Sequence, residues 1–179
     1  MATAPEAALP ELRAVEFYSG VGGWTMALEQ ARQVRDGVPA VRVVAAFDHS
    51  TVCNRVFAAN HSTRDELCGK QPSESGPVPS QKPIERLSAA DLDELAADLW
   101  LMSPPCQPYT RQRNTLEDQR KDVQDSRATS FLHLCTELQS MHKPPSVLVV
   151  ENVVGFERSD SCARSRIPLC HPSRTSGQD

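Results

Sequence analysis

Arg13-Ala-Val-Glu-Phe-Tyr-Ser-Gly-Val-Gly-Gly-Trp24 is the stretch on which the fold turns. Its first half, residues 13 to 18, is a short apolar run of the kind that forms a strand buried on both faces. Beyond the glycines, Trp24, Ala27, Leu28 and Ala31 fall at i, i+3, i+4 and i+7, a spacing that predicts a helix with one buried face. The segment Phe17-Tyr-Ser-Gly-Val-Gly-Gly23 therefore lies where a strand turns into a helix. Glycines there let the backbone pass close to a ligand, and the helix start beyond offers amide hydrogens. Such a turn suits a nucleotide-like cofactor, and it equally suits a tight turn with packing duties alone.

Working outward, the apolar runs Val41 to Phe47, Leu99 to Met102 and Ser146 to Val150 predict three more buried strands. Phe131, Leu134, Cys135 and Leu138 repeat the helical interval. Ser88 can cap a further helix over Ala89 to Ala97, with Asp91 three residues on completing a capping box. Strand and helix alternate, which predicts right-handed crossovers and an α/β, Rossmann-like, largely parallel sheet with helices on both faces. With 179 residues the chain holds one such domain. Residues 1–11 are expected to be a flexible N-terminus and residues 12–157 the domain. Residues 61–83, rich in Pro, Ser and Gly, read as a long surface loop with at most one short strand. Residues 158–179 show neither a period of 2 nor one of 3.6 and are expected to be unpacked.

A formal net charge of -4 excludes a strong overall field for nucleic acid, so any such contact must be local. Cysteines at 53, 68, 106, 135, 162 and 170 form no C-x-x-C pair, so neither a zinc ribbon nor a dithiol motif is expected, and no metal site. The opening lacks a basic start and an apolar stretch of secretory length, and no run approaches membrane-spanning length. The expected location is cytoplasmic, nuclear or both.

Three constellations carry chemistry. Asp48 follows the second strand, where an acid can accept hydrogen bonds from ribose hydroxyls; acids at strand ends are also often merely solvated. Ser103-Pro-Pro-Cys106-Gln-Pro-Tyr-Thr110 follows an apolar strand, so Cys106 stands over the crevice where parallel sheets bind ligands. Prolines around it fix the loop, and a thiol is a strong nucleophile near neutral pH; an ordinary buried cysteine is the other reading, which suits Cys53 and Cys135 on helical faces, whereas the P-P-C-Q-P setting shifts the balance for Cys106. Glu151-Asn-Val153 ends the last strand, where poor solvation would raise the pKa of Glu151 and let it act as a general acid; taken without the other two motifs, a strand-terminal glutamate pointing into water is the preferred reading.

Together F-Y-S-G-V-G-G, P-P-C-Q-P and E-N-V, in that order at strand ends, resemble the cofactor, nucleophile and acid motifs of the cytosine-5 methyltransferases. Leu101 to Pro108, Asp125 to His133 and Glu151 to Phe156 look like the tRNA(Asp) branch of that family, also called DNA methyltransferase homologue two. The resemblance spans residues 12 to 157. It implies an S-adenosylmethionine site lined by Val21, Gly22 and Gly23, with Asp48 on the ribose, Ile84 and Glu85 flanking the adenine and Ser103 near the methionine end. It implies Cys106 as nucleophile toward cytosine C6, Glu151 supporting protonation at N3, and tRNA as substrate, with DNA the alternative. Arg111, Arg113, Arg120 and Arg127 could bind phosphates beside an extruded base, although Glu117, Asp118, Asp122 and Asp125 are interleaved with them.

Family members continue into further strands, a cytosine-contacting arginine motif and a recognition region, so the domain is expected to be incomplete at its C-terminus and the tail foreign to the fold. Arg164-Ser-Arg166 follows Glu151 too closely to be that arginine motif. A catalytically silent fragment is thus a further reading. An NAD-type oxidoreductase ranks low, because after Gly20-Val-Gly22 the G-x-G-x-x-G pattern meets Thr25.

Overall fold

The described strands all run the same way, so each connection between them is a crossover that returns the chain to the same end of the sheet. In the computed structural model, which describes residues 9–34, 39–61, 77, 79–109, 125–156 and 159–165, the order is β1 (Leu12–Phe17), α1 (Gly23–Val34), β2 (Val41–Phe47), α2 (Thr51–His61), β3 (Pro79–Ser80), α3 (Ala89–Glu94), β4 (Leu99–Met102), α4 (Thr129–Leu138), β5 (Val147–Val150) and α5 (Asp160–Ser165). The sheet order is β3-β2-β1-β4-β5, wholly parallel among the described strands. β2 and β3 thus lie on one side of β1, and β4 and β5 on the other. That reversal is the topological switch point of a doubly wound sheet.

Alternation along the strands divides the core. Val15, Phe17, Trp100 and Met102 point to a face covered by Leu92 of α3, Phe131, Leu134 and Cys135 of α4, and Cys162 of α5. Phe17 stacks on Phe47 and meets Trp100 edge-on, with ring centroids 5.4 and 5.1 Å apart. Ala14, Val43 and Leu101 point the other way, beneath Trp24 and Leu28 of α1. Helices on both faces, as the strand–helix alternation predicts, follow from this period of two.

Three expectations need correction. Ala27 and Ala31 of α1 are exposed, and the buried position is Thr25, because α1 covers only the small second cluster and turns its hydroxyl toward the sheet. The last strand is not buried on both faces: β5 is an edge strand, and Val147 is 47% exposed. The tail is not wholly unpacked either. α5 packs against α4, Cys162 enters the core, and Ser159 Oγ accepts the Cys162 N–H at 3.0 Å. Residues 1–8, 62–76 and 166–179, including most of the expected loop, Cys68 and Cys170, lie outside the described residues. The one short strand expected near that loop is β3.

α3 begins as its sequence predicts. Ser88 Oγ accepts the Asp91 N–H and the Asp91 carboxylate accepts the Ser88 N–H, completing the box. These bonds, with the Lys82 ammonium 2.9 Å away, hold Asp91 well below the ordinary carboxylate range. Ser88→Ala should lower unfolding free energy by about 1 kcal/mol in urea titration, with the m-value unchanged.

Candidate active site

Glu16, one residue from the end of β1, lies between apolar neighbours and is 1% exposed. A buried carboxylate requires partners, and its partners are at the start of α1: Oε1 accepts the Trp24 N–H at 3.1 Å, and Oε2 accepts the Thr25 N–H at 3.2 Å and the Thr25 hydroxyl at 2.6 Å. The amides that the sequence offers to a ligand are therefore partly consumed within the chain. Burial pushes the Glu16 pKa above its ordinary 4.5, and these hydrogen bonds pull it back only in part. No sequence motif marks this acid; its one signal is a charge at an inward strand position shortly before a helix start.

Asp48 fastens the same turn from the other side. Oδ2 accepts the Gly20 N–H at 2.9 Å and Oδ1 the Ser50 N–H at 2.7 Å. Tyr18 holds a left-handed backbone (φ 57°) and donates its hydroxyl to Ser130 Oγ of α4 at 3.0 Å. Burial raises the phenol's pKa, so it remains a donor.

The three residues expected to line the cofactor differ in what they touch. Gly22 has φ +94°, and a Cβ there would collide with the His61 ring, which is buried against Phe57. Val21 is 49% exposed. Nothing lies within 4 Å of a Cβ built on Gly23, and its φ is ordinary. Neither strain nor crowding in the chain requires glycine at position 23. The space a Cβ would occupy there is open, so a ligand has room to approach the backbone, and the turn fits a nucleotide-like cofactor. Ile84, in a short helical turn after β3, is buried in the main core; Glu85 beside it is exposed.

Across the switch point, Ser103 leaves β4 and its hydroxyl accepts the Trp24 indole N–H at 2.9 Å. Cys106 is half-buried, and its carbonyl accepts the Tyr109 N–H at 2.9 Å. The Glu151 segment is clasped to this loop at three points. Asn152 Nδ2 donates to the Pro104 carbonyl at 3.2 Å, Gly155 lies so close to the Tyr109 carbonyl that a Cβ would collide with it, and Phe156 meets Tyr109 edge-on at 5.1 Å. Phe131 of α4 backs Phe156 at 5.3 Å. The Cys106 and Glu151 loops thus leave adjacent strand ends and pack on each other.

Glu151 itself is exposed, so the poor solvation expected of it does not hold; it ends an edge strand, with nothing stacked beyond it among the described residues. Of the arginines expected to bind phosphate, Arg111, Arg113 and Arg120 lie outside the described residues, as do Glu117, Asp118 and Asp122. Arg127 is engaged by Asp125 through two bonds, Nε–Oδ1 at 2.8 Å and Nη2–Oδ2 at 2.5 Å. Among the described residues no cluster suits a metal ion, and no helix is long and apolar enough to cross a membrane.

A parallel sheet with a reversal at β1, a glycine turn on one side of it and a cysteine loop clasped to a glutamate turn on the other define a Rossmann-like methyltransferase domain. The chain belongs to the C-5 cytosine-specific DNA methylase family, whose model matches residues 12–165. That match runs past Glu157 and includes α5. The chain is 39% identical over 150 residues to the tRNA (cytosine(38)-C(5))-methyltransferase of Homo sapiens, covering 84% of this chain and 32% of the relative. It is 35% identical over 153 residues to a DNA (cytosine-5)-methyltransferase of Dictyostelium discoideum, covering 86% and 34%. The crystal structure of the S. pombe Dnmt2 methyltransferase superposes with a TM-score of 0.64 at 29% identity, over 87% of this chain and 39% of that one. The chain spans about a third of the length of the curated relatives it matches.

Two outcomes follow from the turn. A folded-state pKa raised above 4.5 means that the protonated form of Glu16 contributes stability fully present below 4.5 and lost as pH rises through the folded value. The stability of the wild type relative to Glu16→Gln should therefore fall as pH rises above 4.5, measured by parallel urea titrations. Gly22→Ala should cost about 2 kcal/mol or more, from strain and the His61 collision, whereas Gly23→Ala should stay within about 1 kcal/mol of wild type.

Proposed function

We propose that this chain carries the cofactor and nucleophile portion of an S-adenosylmethionine-dependent cytosine-5 methyltransferase acting on tRNA in the cytoplasm or nucleus. The observation that carries the reading is the clasp between the Cys106 loop and the Glu151 turn, at adjacent strand ends beside the glycine turn. Val21, Gly22 and Gly23 would line the cofactor, Ile84 and Glu85 would flank its adenine, and Ser103 would lie near its methionine end. Asp48 would take the ribose: each of its oxygens accepts one backbone N–H and keeps a further lone pair. S-adenosylmethionine supplies an electrophilic methyl group.

The chemistry needs a covalent adduct because cytosine C5 is not nucleophilic in the aromatic ring. The Cys106 thiolate forms a bond to C6, and the displaced ring electrons are stabilised as Glu151 supports protonation at N3. C5 becomes enamine-like, and its electron pair would take the methyl group as the sulfonium sulfur keeps the S–C bonding pair and departs as a neutral thioether. A base then removes the C5 proton, the electron pair restores the double bond, the sulfur leaves C6 as thiolate, and N3 gives its proton back to Glu151. The base must be unstacked to reach Cys106, which the exposed position of Glu151 permits.

DNA is the second reading, favoured by the Dictyostelium relative. Transfer from labelled S-adenosylmethionine to tRNA and to duplex DNA separates the two: greater transfer to tRNA is expected, and equal transfer would overturn the preference. Tritium on tRNA should fall to background with Cys106→Ala. A tRNA carrying 5-fluorocytosine, whose fluorine cannot leave as the proton does, should give a covalent complex with wild type and none with Cys106→Ala. Absence of both transfer and calorimetric cofactor binding would make this chain a silent fragment.

A further inference from the structure

The clasp holds the nucleophile loop from the Glu151 side. On its other flank a side chain from the opposite wall of the crevice, that of Trp24, holds it. Trp24 lies in the first turn of α1, and its backbone is anchored by the Glu16 carboxylate. Its ring packs beside Leu28 over Ala14, Val43 and Leu101. The indole N–H then reaches Ser103 Oγ at 2.9 Å. Ser103 is the first residue beyond β4, where its N–H still meets the Phe17 carbonyl at 3.4 Å. Between it and Cys106 stand Pro104 and Pro105, whose rings fix φ and restrict the residue before each. A loop this stiff transmits at Cys106 the orientation imposed at Ser103. Apolar packing alone would be served by phenylalanine; only an indole brings the N–H.

We infer that Trp24 is a positioning residue for the nucleophile: through Ser103 it ties the helix that starts at the cofactor turn to the loop that carries Cys106. The inference rests on the reading of Cys106 as nucleophile and of residues 21 to 23 as the cofactor turn. A ligand that shifts the first turn of α1 acts on the thiol through one hydrogen bond, without touching it.

The test reads thiol reactivity in the 179-residue chain. Alkylation of Cys106 by iodoacetamide is followed by peptide mass spectrometry at fixed pH, with Cys53 on α2 as internal reference. Trp24→Phe and Ser103→Ala should each change the Cys106 rate by about threefold to tenfold, the factor one ordinary hydrogen bond is worth. The double variant should change it no further than either single one, because both remove the same bond. Ser103→Thr, which keeps the hydroxyl, should restore the wild-type rate, and Cys53 should not respond in any variant.

Cys106 rates within about twofold of wild type in both single variants, or effects that multiply in the double variant, would overturn the inference. Should Trp24→Phe lose its cooperative melt, Ser103→Ala against Ser103→Thr decides the matter alone. Calorimetry with S-adenosylhomocysteine on the wild type separates this inference from the proposed activity. Altered Cys106 rates without binding keep the positioning role and remove the cofactor site. Binding with unaltered rates does the reverse.

Discussion

Strand order reverses at β1, and every feature of the site depends on that reversal. With β2 and β3 on one side and β4 and β5 on the other, the crossovers diverge and leave the carboxyl end of β1 uncovered. The glycine turn occupies that end. Because the strands are parallel, Asp48 after β2, Ser103 and Cys106 after β4 and Glu151 after β5 all emerge at the same edge of the sheet. A single antiparallel strand among them would move one group to the far side.

Within this frame the site is held by polar side chains that reach from one element to another, near and far in sequence. Glu16 fixes the start of α1, Asp48 fixes Gly20, Tyr18 reaches Ser130, and Asn152 reaches Pro104. Each is a bond whose other partner is buried or half-buried, so losing it leaves a group unsatisfied. Apolar contacts finish the assembly: Phe156 between Tyr109 and Phe131 fills the space under the clasp.

Strands β1, β2 and β4 were legible as short apolar runs, and α3 as its capping box, because both signals are local. So were the three motif loops, since glycine, proline and cysteine at strand ends constrain a chain wherever they occur. The burial of Glu16 and the exposure of Glu151 were not legible. Each depends on where its strand sits in the sheet, β1 at the centre and β5 at the edge. Gly155 against Tyr109 joins residues 46 positions apart, a separation at which no period speaks. α5 has only six residues, too few for a helical repeat to show, and it is held by the burial of Cys162. α1 misled because two of its four periodic positions are alanines, which are as compatible with water as with a core.

The acids around the turn set the kind of charge it will accept. Three N–H groups that could have cradled an anion, those of Gly20, Trp24 and Thr25, are already given to Asp48 and Glu16. A pyrophosphate would find those donors occupied and carboxylates behind them, so dinucleotides are disfavoured at this seat although the sheet resembles theirs. A cationic group would meet a favourable field there. The sign of charge that the crevice favours is thus set by two acids, Glu16 and Asp48, that the chain's own amides hold in place.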